Sequence, residues 1–150
     1  MMEYKGVVKL TVDGKEYVMH NTGLDYLFQV IMTYLMDGSK SRGGFLNFFD
    51  IGYKNDTTWV SVFNRPVAIK AKRFTNANSA STINFEGNIP PEVLQVASYT
   101  GKQFYIRVLE TTNQSTALAE VEMAENVNEY FQEHLSAVTE IMIQWQMSFS

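Results

Sequence analysis

Glu120 and Glu122 are the two residues whose type and spacing come closest to a catalytic pair. Residues two apart on a β-strand point to the same face, roughly 7 Å from each other. Glycoside hydrolases use two carboxylates at about that separation, and Tyr105, Tyr130 and Trp145 are available to line a cleft. Glutamates on the solvent face of an antiparallel strand are nevertheless ordinary. A carboxylate-based hydrolase is therefore kept only as an alternative hypothesis.

Metal and cofactor chemistry has little support in the residue types. The only histidines are His20 and His134, without HxH or HExxH spacing, and cysteine is absent. Transition-metal sites are built chiefly from these two residue types. Serine-nucleophile motifs and phosphate-binding loops of the common enzyme classes are missing as well. The sequence therefore predicts no catalytic residue, no metal ligand and no cofactor.

Two groups of side chains suggest binding rather than catalysis. Trp59, Tyr105 and Trp145 are candidates for recognising a carbohydrate at a host surface, because aromatic side chains join a large apolar surface to a polar tip. The segment from Lys70 to Phe74 combines Lys70, Lys72, Arg73 and an aromatic ring, as nucleic-acid-binding barrels do. A solvated face or a protein contact explains this segment better, and the net charge is −4. We expect no direct nucleic-acid binding.

Short strands must position these side chains. The dipeptide Asp13-Gly14 predicts a hairpin with a two-residue type I′ turn, because that turn needs positive φ at both central positions. The last segment has the most regular alternation, with Ile141, Ile143 and Trp145 on one face. The predicted strands are Tyr4–Val12, Lys15–Met19, Phe45–Tyr53, Trp59–Phe63, Val67–Phe74, Thr82–Glu86, Gln103–Leu109, Ala117–Ala124 and Thr139–Phe149.

One helix is predicted near residues 22–36. Its apolar residues recur at helical spacing, from Leu24 to Leu35, and Asn21 is a suitable N-cap. The dipeptide Asp37-Gly38 ends it. The stretch Leu24–Met36 is too short and too polar to span a bilayer, and the N-terminus resembles no secretory signal. We expect a protein made in a cytoplasm, without membrane contact.

Composition limits the fold class. The chain has 150 residues, 45% of them hydrophobic and only 19% charged, with 11 Asn, 10 Ser and 12 Thr. This profile excludes intrinsic disorder, a Glu- and Lys-rich helical bundle and a disulfide scaffold. Many short strands and one helix predict a mainly-β protein. We expect an antiparallel β-sandwich or barrel with one inserted amphipathic helix, as a single domain over residues 1–150.

Charge is distributed unevenly along the chain. Residues 1–75 contain ten Lys or Arg and seven Asp or Glu, whereas residues 76–150 contain two Lys or Arg and nine Glu. The halves therefore carry +3 and −7. Two solvated faces of one sheet explain this split. Alternatively, the basic side of one copy meets the acidic side of the next in a head-to-tail self-contact.

Five short motifs follow one another along the chain after the N-terminal hairpin. They are Asn21-Thr22-Gly23-Leu24, Phe49-Asp50-Ile51-Gly52, Arg65-Pro66-Val67, Ala119-Glu120-Val121-Glu122-Met123 and a closing strand, Ile141–Phe149. Their order resembles that of a family of small structural proteins of tailed-bacteriophage virions. One departure follows the Ile-Gly strand, where Tyr53-Lys54-Asn55 replaces a loop that is often Gly-Thr-Gly.

The resemblance implies a non-enzymatic assembly role in a tail, baseplate or head-to-tail ring, in a virion put together in the host cytoplasm. Short-tailed phages, including the crAss-like group, use stacked rings of such proteins. Self-association in a symmetric ring and contacts with other virion proteins would follow, with the loops Asp37–Gly44 and Asn88–Thr100 as candidate contacts. The alternative is a carbohydrate-binding or host-recognition module of the virion.

Overall fold

The structure, a computed structural model, describes residues 4–21, 46–62, 66–77, 80–89, 99–112, 117–134 and 140–149. The predicted helix near residues 22–36 and the loop 37–44 lie outside these ranges. The elements within them are β1 (Tyr4–Val12), β2 (Lys15–Asn21), β3 (Phe48–Asn55), β4 (Thr58–Ser61), β5 (Val67–Ala68), β6 (Ala71–Ala77), β7 (Ala80–Ile89), β8 (Phe104–Leu109), β9 (Ala119–Glu122), α1 (Glu125–His134) and β10 (Ile141–Phe149).

The strands form two antiparallel sheets that pack face to face. The first sheet has the order β2-β1-β10-β7-β6, and the second has the order β4-β3-β8-β9. The short β5 pairs with Phe48 and Phe49, the first residues of β3. It lies on the same side of β3 as β4, which pairs with the later residues of that strand, while β8 pairs with the opposite side. This arrangement confirms the mainly-β antiparallel sandwich, and it is not a closed barrel.

The first hairpin forms as its turn residues predict. Val12 pairs with Lys15, so Asp13 and Gly14 alone make the turn. Their φ angles are 48° and 88°, the positive values that a type I′ turn requires. Asp13 also accepts a hydrogen bond from the Glu140 main-chain nitrogen at 2.8 Å, which ties the turn to the start of β10.

The closing strand β10 lies in the middle of the first sheet, between β1 and β7. Ile141, Ile143, Trp145 and Met147 are buried, while the residues between them face outward. The alternation predicted for this strand is confirmed. Because the inward residues of β1 and β7 also alternate, the three central strands together supply one apolar face to the core.

The predicted strand Val67–Phe74 is divided between the two sheets. Its first part, β5, pairs with β3 in the second sheet, and its continuation, β6, pairs with β7 in the first. Ile69 and Lys70 bridge the two, each donating a main-chain hydrogen bond to one sheet. The predicted alternation holds for the buried Val67 and Ile69 and the exposed Lys70. The chain therefore changes sheet where a single strand was expected.

Aromatic rings fill the core in two groups. Phe49 from one sheet packs against both Phe85 and Trp145 from the other, with centroid distances of 5.6 and 6.5 Å, and the Phe85 and Trp145 rings are 6.1 Å from each other. The second group lies where α1 closes one end of the sandwich, and its rings meet edge to face. It consists of Tyr53, Tyr99, Phe104 and Phe131.

Helix α1 was not predicted, and its anchor is polar. Val127 and Phe131 enter the core, and between them Asn128 is also buried. The Asn128 Oδ1 accepts from the Phe104 main-chain nitrogen at 2.7 Å, and its Nδ2 donates to the Lys102 carbonyl at 3.1 Å. The Asn128 side chain therefore provides a hydrogen-bond acceptor for the main-chain N–H of Phe104, the first residue of β8, and holds the helix against that strand. No helix in the described ranges has the length and apolar character of a bilayer span.

Replacing Asn128 should show how much its hydrogen bonds to Phe104 and Lys102 contribute to the free energy of unfolding. Asn128→Leu keeps the volume but leaves the buried Phe104 N–H without its acceptor, so we expect a loss of about 2 kcal/mol in the free energy of unfolding. Asn126→Ala is the matched control, because exposed Asn126 bonds only to the adjacent Val127 nitrogen and should cost under about 0.5 kcal/mol. Urea unfolding measures both. Equal costs would contradict the anchoring role.

Candidate functional site

Polar side chains form a connected network on the outer face of the second sheet. Alternation turns Phe49 and Ile51 into the core and Asp50 outward. Register then places Asp50 opposite Arg107 on β8, and Arg107 opposite Glu120 on β9. We call these residues, with Lys54, Trp59, Ser61 and Tyr105, the Asp50 network.

Asp50 is the most deeply buried member, with 3% of its surface exposed. The Ser61 hydroxyl donates to Oδ1 at 2.6 Å, and the Trp59 indole nitrogen donates to Oδ2 at 2.9 Å. Burial raises the pKa of Asp50 above its ordinary value of 3.8, although these hydrogen bonds and the charge of Arg107 oppose the rise. Asp50 is therefore an internal acceptor whose oxygens are both engaged.

Trp59 lies across Gly52 on the surface of the sheet. A Cβ atom at Gly52 would stand 2.7 Å from Cζ2 of the indole and would overlap the Val60 carbonyl oxygen. The Arg107 guanidinium lies 3.8 Å from the centroid of the Trp59 ring, close enough for a cation–π interaction. The Trp59 ring is thus packed against the main chain at Gly52 and against the Arg107 guanidinium.

Glu120 joins the two cations of the network. Its Oε1 lies 2.7 Å from Lys54 Nζ, and its Oε2 lies 2.8 Å from Arg107 Nε. Lys54 also lies over the Tyr105 ring, 4.4 Å from its centroid. Glu122 shares this face, opposite Tyr105, and is exposed.

These contacts bear on the hydrolase hypothesis and on the carbohydrate-binding hypothesis. Glu120 and Glu122 do share a face, but both oxygens of Glu120 are held by cations, which leaves one unengaged carboxylate where a hydrolase needs two. Trp59 and Tyr105 share that face too, yet each already has a cation over its ring. Trp145, with 1% exposure, is a core residue and offers no surface to a sugar.

A shallow depression of about 390 Å³ crosses the outer face of the first sheet. Two rows of paired residues line it. One row runs Val7, Gln146, Asn84 and Arg73 across β1, β10, β7 and β6; the adjacent row runs Lys9, Gln144 and Glu86. We call this depression the amide trough, after its three amide side chains.

The cations of the amide trough form no ion pair within the part of the chain that the structure describes. Gln144 donates to the Glu86 carboxylate at 3.2 Å, whereas neither Lys9 nor Arg73 forms an ion pair with any described residue. Lys9 is on β1 and Arg73 on β6, three strand spacings away, so the two cations stand at opposite ends of the trough. Because they also stand one row apart along the strands, their main chains are about 16 Å apart.

Helix α1 carries the opposite charge. Glu125, Glu129 and Glu133 are exposed and spaced four residues apart, so they lie along one side of the helix. We call them the acidic stripe. Among the described residues, the only group within ion-pairing distance of the stripe is His134, with Nε2 at 3.6 Å from Glu133. Like charges at this spacing destabilise a helix, although Glu125 in the first turn is favoured by the helix dipole.

The other predicted residues are spread over the fold. His20 is exposed on β2 and His134 ends α1, and no three metal-ligating side chains cluster among the residues described. Arg73 joins the amide trough, whereas Lys70 is exposed outside it. In the loop 88–100 the structure describes the end of β7 and residues 99–100 only.

Asp50, Arg107 and the acidic stripe are functional candidates that the sequence patterns did not predict. A charged residue inside an otherwise apolar strand, as in Phe48-Phe49-Asp50-Ile51 and Tyr105-Ile106-Arg107-Val108, was the signal for the first two. Three glutamates at spacing four were the signal for the stripe. Comparison with known protein families, curated proteins and solved structures finds no match to this chain.

Proposed function

We propose that this chain is a bacteriophage virion structural protein that assembles as a homo-oligomeric component of a tail or head-to-tail ring. The observation that carries the proposal is the separation of two sets of charges, none of which forms an ion pair among the described residues. Lys9 and Arg73 lie on the outer face of the first sheet, whereas Glu125 and Glu129 lie on α1, which packs against the second. Separate surfaces of opposite charge suit contact between successive copies.

The Asp50 network supports an assembly role over catalysis. Its carboxylates and cations are used within the chain, and its two aromatic rings are covered by cations. Side chains held in this way are less available to a substrate, which favours an assembly role. The motif order described above adds the virion context, in which non-enzymatic subunits form rings.

The oligomeric state of the purified full chain tests the proposal. We expect a closed oligomer whose dissociation constant rises with salt, because attraction between exposed charges is screened. Sedimentation velocity and light scattering over a range of concentration and ionic strength measure this, and electron microscopy shows whether rings form. A monomer under all these conditions, with no ring in the presence of neighbouring virion proteins, would contradict the proposal.

A host-recognition module is the second candidate, and the amide trough is the observation that favours it. Asn84, Gln144 and Gln146 each present both donors and acceptors, as hydroxyl-rich ligands require. A glycan array probed with the chain distinguishes the two. Specific binding by a monomer that never assembles would favour recognition over assembly.

A further inference from the structure

We propose that the amide trough of one copy binds the acidic stripe of a second copy, and that this contact is the repeating joint of the assembly. This inference rests on the proposed function, because it names the surfaces through which the copies associate. It commits to a second copy as the occupant and to α1 as the element that enters the trough.

Charge complementarity is the first argument. Lys9 and Arg73 of the trough form no ion pair with any described residue, and with its single carboxylate, Glu86, the lining carries a net charge of +1. Lys5 adds a third cation on the same face, one row beyond the trough. The acidic stripe carries three carboxylates, and the one ion-pairing contact that the described residues make to it is from His134 to Glu133.

Comparable lengths are the second argument. Glu125 and Glu133 are eight residues apart on the helix, which places them about 12 Å apart. The two cations at the ends of the trough are separated by three strand spacings and by one row along the strands, or about 16 Å between their main chains. Flexible Lys and Arg side chains easily cover the difference. Glu129, midway along the stripe, would then meet the trough amides, whose N–H groups can donate to it.

The positions of the two surfaces make the contact heterologous. The trough is on the outward face of the first sheet, and α1 is anchored to the start of β8 in the second. One molecule therefore cannot satisfy its own stripe with its own trough, and no described ion pair joins them. A joint between different patches repeats from copy to copy, and it closes into a ring where the rotation allows.

Charge swapping tests the joint. One variant reverses the stripe (Glu125→Lys, Glu129→Lys and Glu133→Lys), and a second reverses the trough ends (Lys9→Glu and Arg73→Glu). We expect each alone to raise the dissociation constant of assembly at least about 100-fold in sedimentation velocity. An equimolar mixture should assemble again, because each stripe then meets a trough of opposite charge.

Matched controls carry the same charge changes elsewhere. Glu16→Lys, Glu122→Lys and Glu140→Lys match the stripe, and Lys15→Glu with Lys70→Glu matches the trough; all five side chains are exposed. We expect the controls to assemble nearly as the unmodified chain does. If the Lys substitutions unfold α1, a neutral variant of the stripe replaces them, with Glu125→Gln, Glu129→Gln and Glu133→Gln. We expect this neutral variant to assemble more weakly than the unmodified chain.

The outcomes separate this joint from the proposed function. A chain that assembles while all charge variants assemble equally well overturns the joint but leaves the assembly role intact. A chain that never assembles overturns both. Binding of an acidic oligosaccharide by the monomer, lost in the Lys9→Glu and Arg73→Glu variant, would assign the trough to a glycan and overturn its use by a second copy.

Discussion

Gly52→Ala should lower the free energy of unfolding by about 3 kcal/mol or more, the upper end of the cost of overpacking. The added Cβ overlaps the Val60 carbonyl oxygen, which is main chain and cannot rotate away. It also enters the space of the Trp59 ring, whose indole nitrogen is held by Asp50. Relief would require separating β3 from β4. Urea unfolding of the variant and the unmodified chain measures the loss.

Gly87→Ala is the matched control for this substitution. Gly87 is also a strand glycine, but the atoms nearest to a Cβ there are farther away: Phe49 Cδ2 at 3.1 Å, the Ala68 carbonyl oxygen at 3.3 Å and Phe49 Cε2 at 3.4 Å. Small adjustments relieve such contacts, and both substitutions restrict the unfolded chain equally, which offsets up to about 1 kcal/mol. We expect a net change within about 1 kcal/mol. Similar losses at both glycines would show that the close approach at Gly52 is not the cause.

Local signals in the sequence predicted the parts of the fold that depend on local physics. The Asp13-Gly14 turn follows from backbone sterics at two residues, and the structure has the expected positive φ at both. The inward face of β10 follows from the alternation of its side chains, because a strand at the centre of a sheet must bury one face. Both predictions need no knowledge of the partner strands.

Features that depend on distant partners could not be predicted in this way. The change of sheet at Ile69 and Lys70 is set by pairing with β3 and β7, and both residues fit one continuous alternation. Leu118, Val121 and Met123 all reach the core, which strict alternation along one strand would not allow. They can do so because β9 covers only Ala119–Glu122, and the residues on either side of it also turn inward.

Helix α1 escaped prediction because its usual start signal is missing. The Ala124 carbonyl accepts the first helical hydrogen bond, from Asn128, so a residue without a capping side chain occupies the N-cap position. The side chain of Asn128 instead hydrogen-bonds to Phe104, the first residue of β8, and to Lys102 just before it. Tertiary contacts thus stabilise a short helix whose own sequence gives little indication of where it begins.

The candidate site was predicted only in part, for a related reason. Alternation correctly placed Glu120 and Glu122 on one face, but their roles depend on the register between strands. Arg107 reaches Glu120 because β8 pairs with β9, and it lies beside Asp50 because β8 also pairs with β3. No local pattern specifies that three-strand row, so Glu120 looked freer in the sequence than it is in the fold.

Asp50→Ala should be about as damaging as Gly52→Ala, with a loss of about 3 kcal/mol near neutral pH. The substitution leaves the Trp59 indole and the Ser61 hydroxyl without their acceptor and removes a buried negative charge beside Arg107. Asp56→Ala is the matched control, because exposed Asp56 lies in the β3–β4 turn; since its φ is positive, the control is expected to cost about 1 kcal/mol. Guanidinium unfolding at fixed pH compares the two.

The pH dependence of Asp50 gives a sharper test through Asp50→Asn, which keeps the shape but cannot ionise. Burial raises the pKa of Asp50 in the folded state above 3.8, its value in the unfolded chain. Between those two pKa values the folded state retains a proton that the unfolded state has lost, so this residue's contribution to stability falls as pH rises.

The stability of the unmodified chain minus that of Asp50→Asn should therefore decline from pH 3.8 upward and level off above the raised pKa. Taking the difference cancels the titration of the other carboxylates, provided that they do not couple to Asp50. Denaturant unfolding at closely spaced pH values measures it. A difference that rises across this window would mean that the hydrogen bonds from Trp59 and Ser61 outweigh burial, so that the folded state favours the ionised carboxylate.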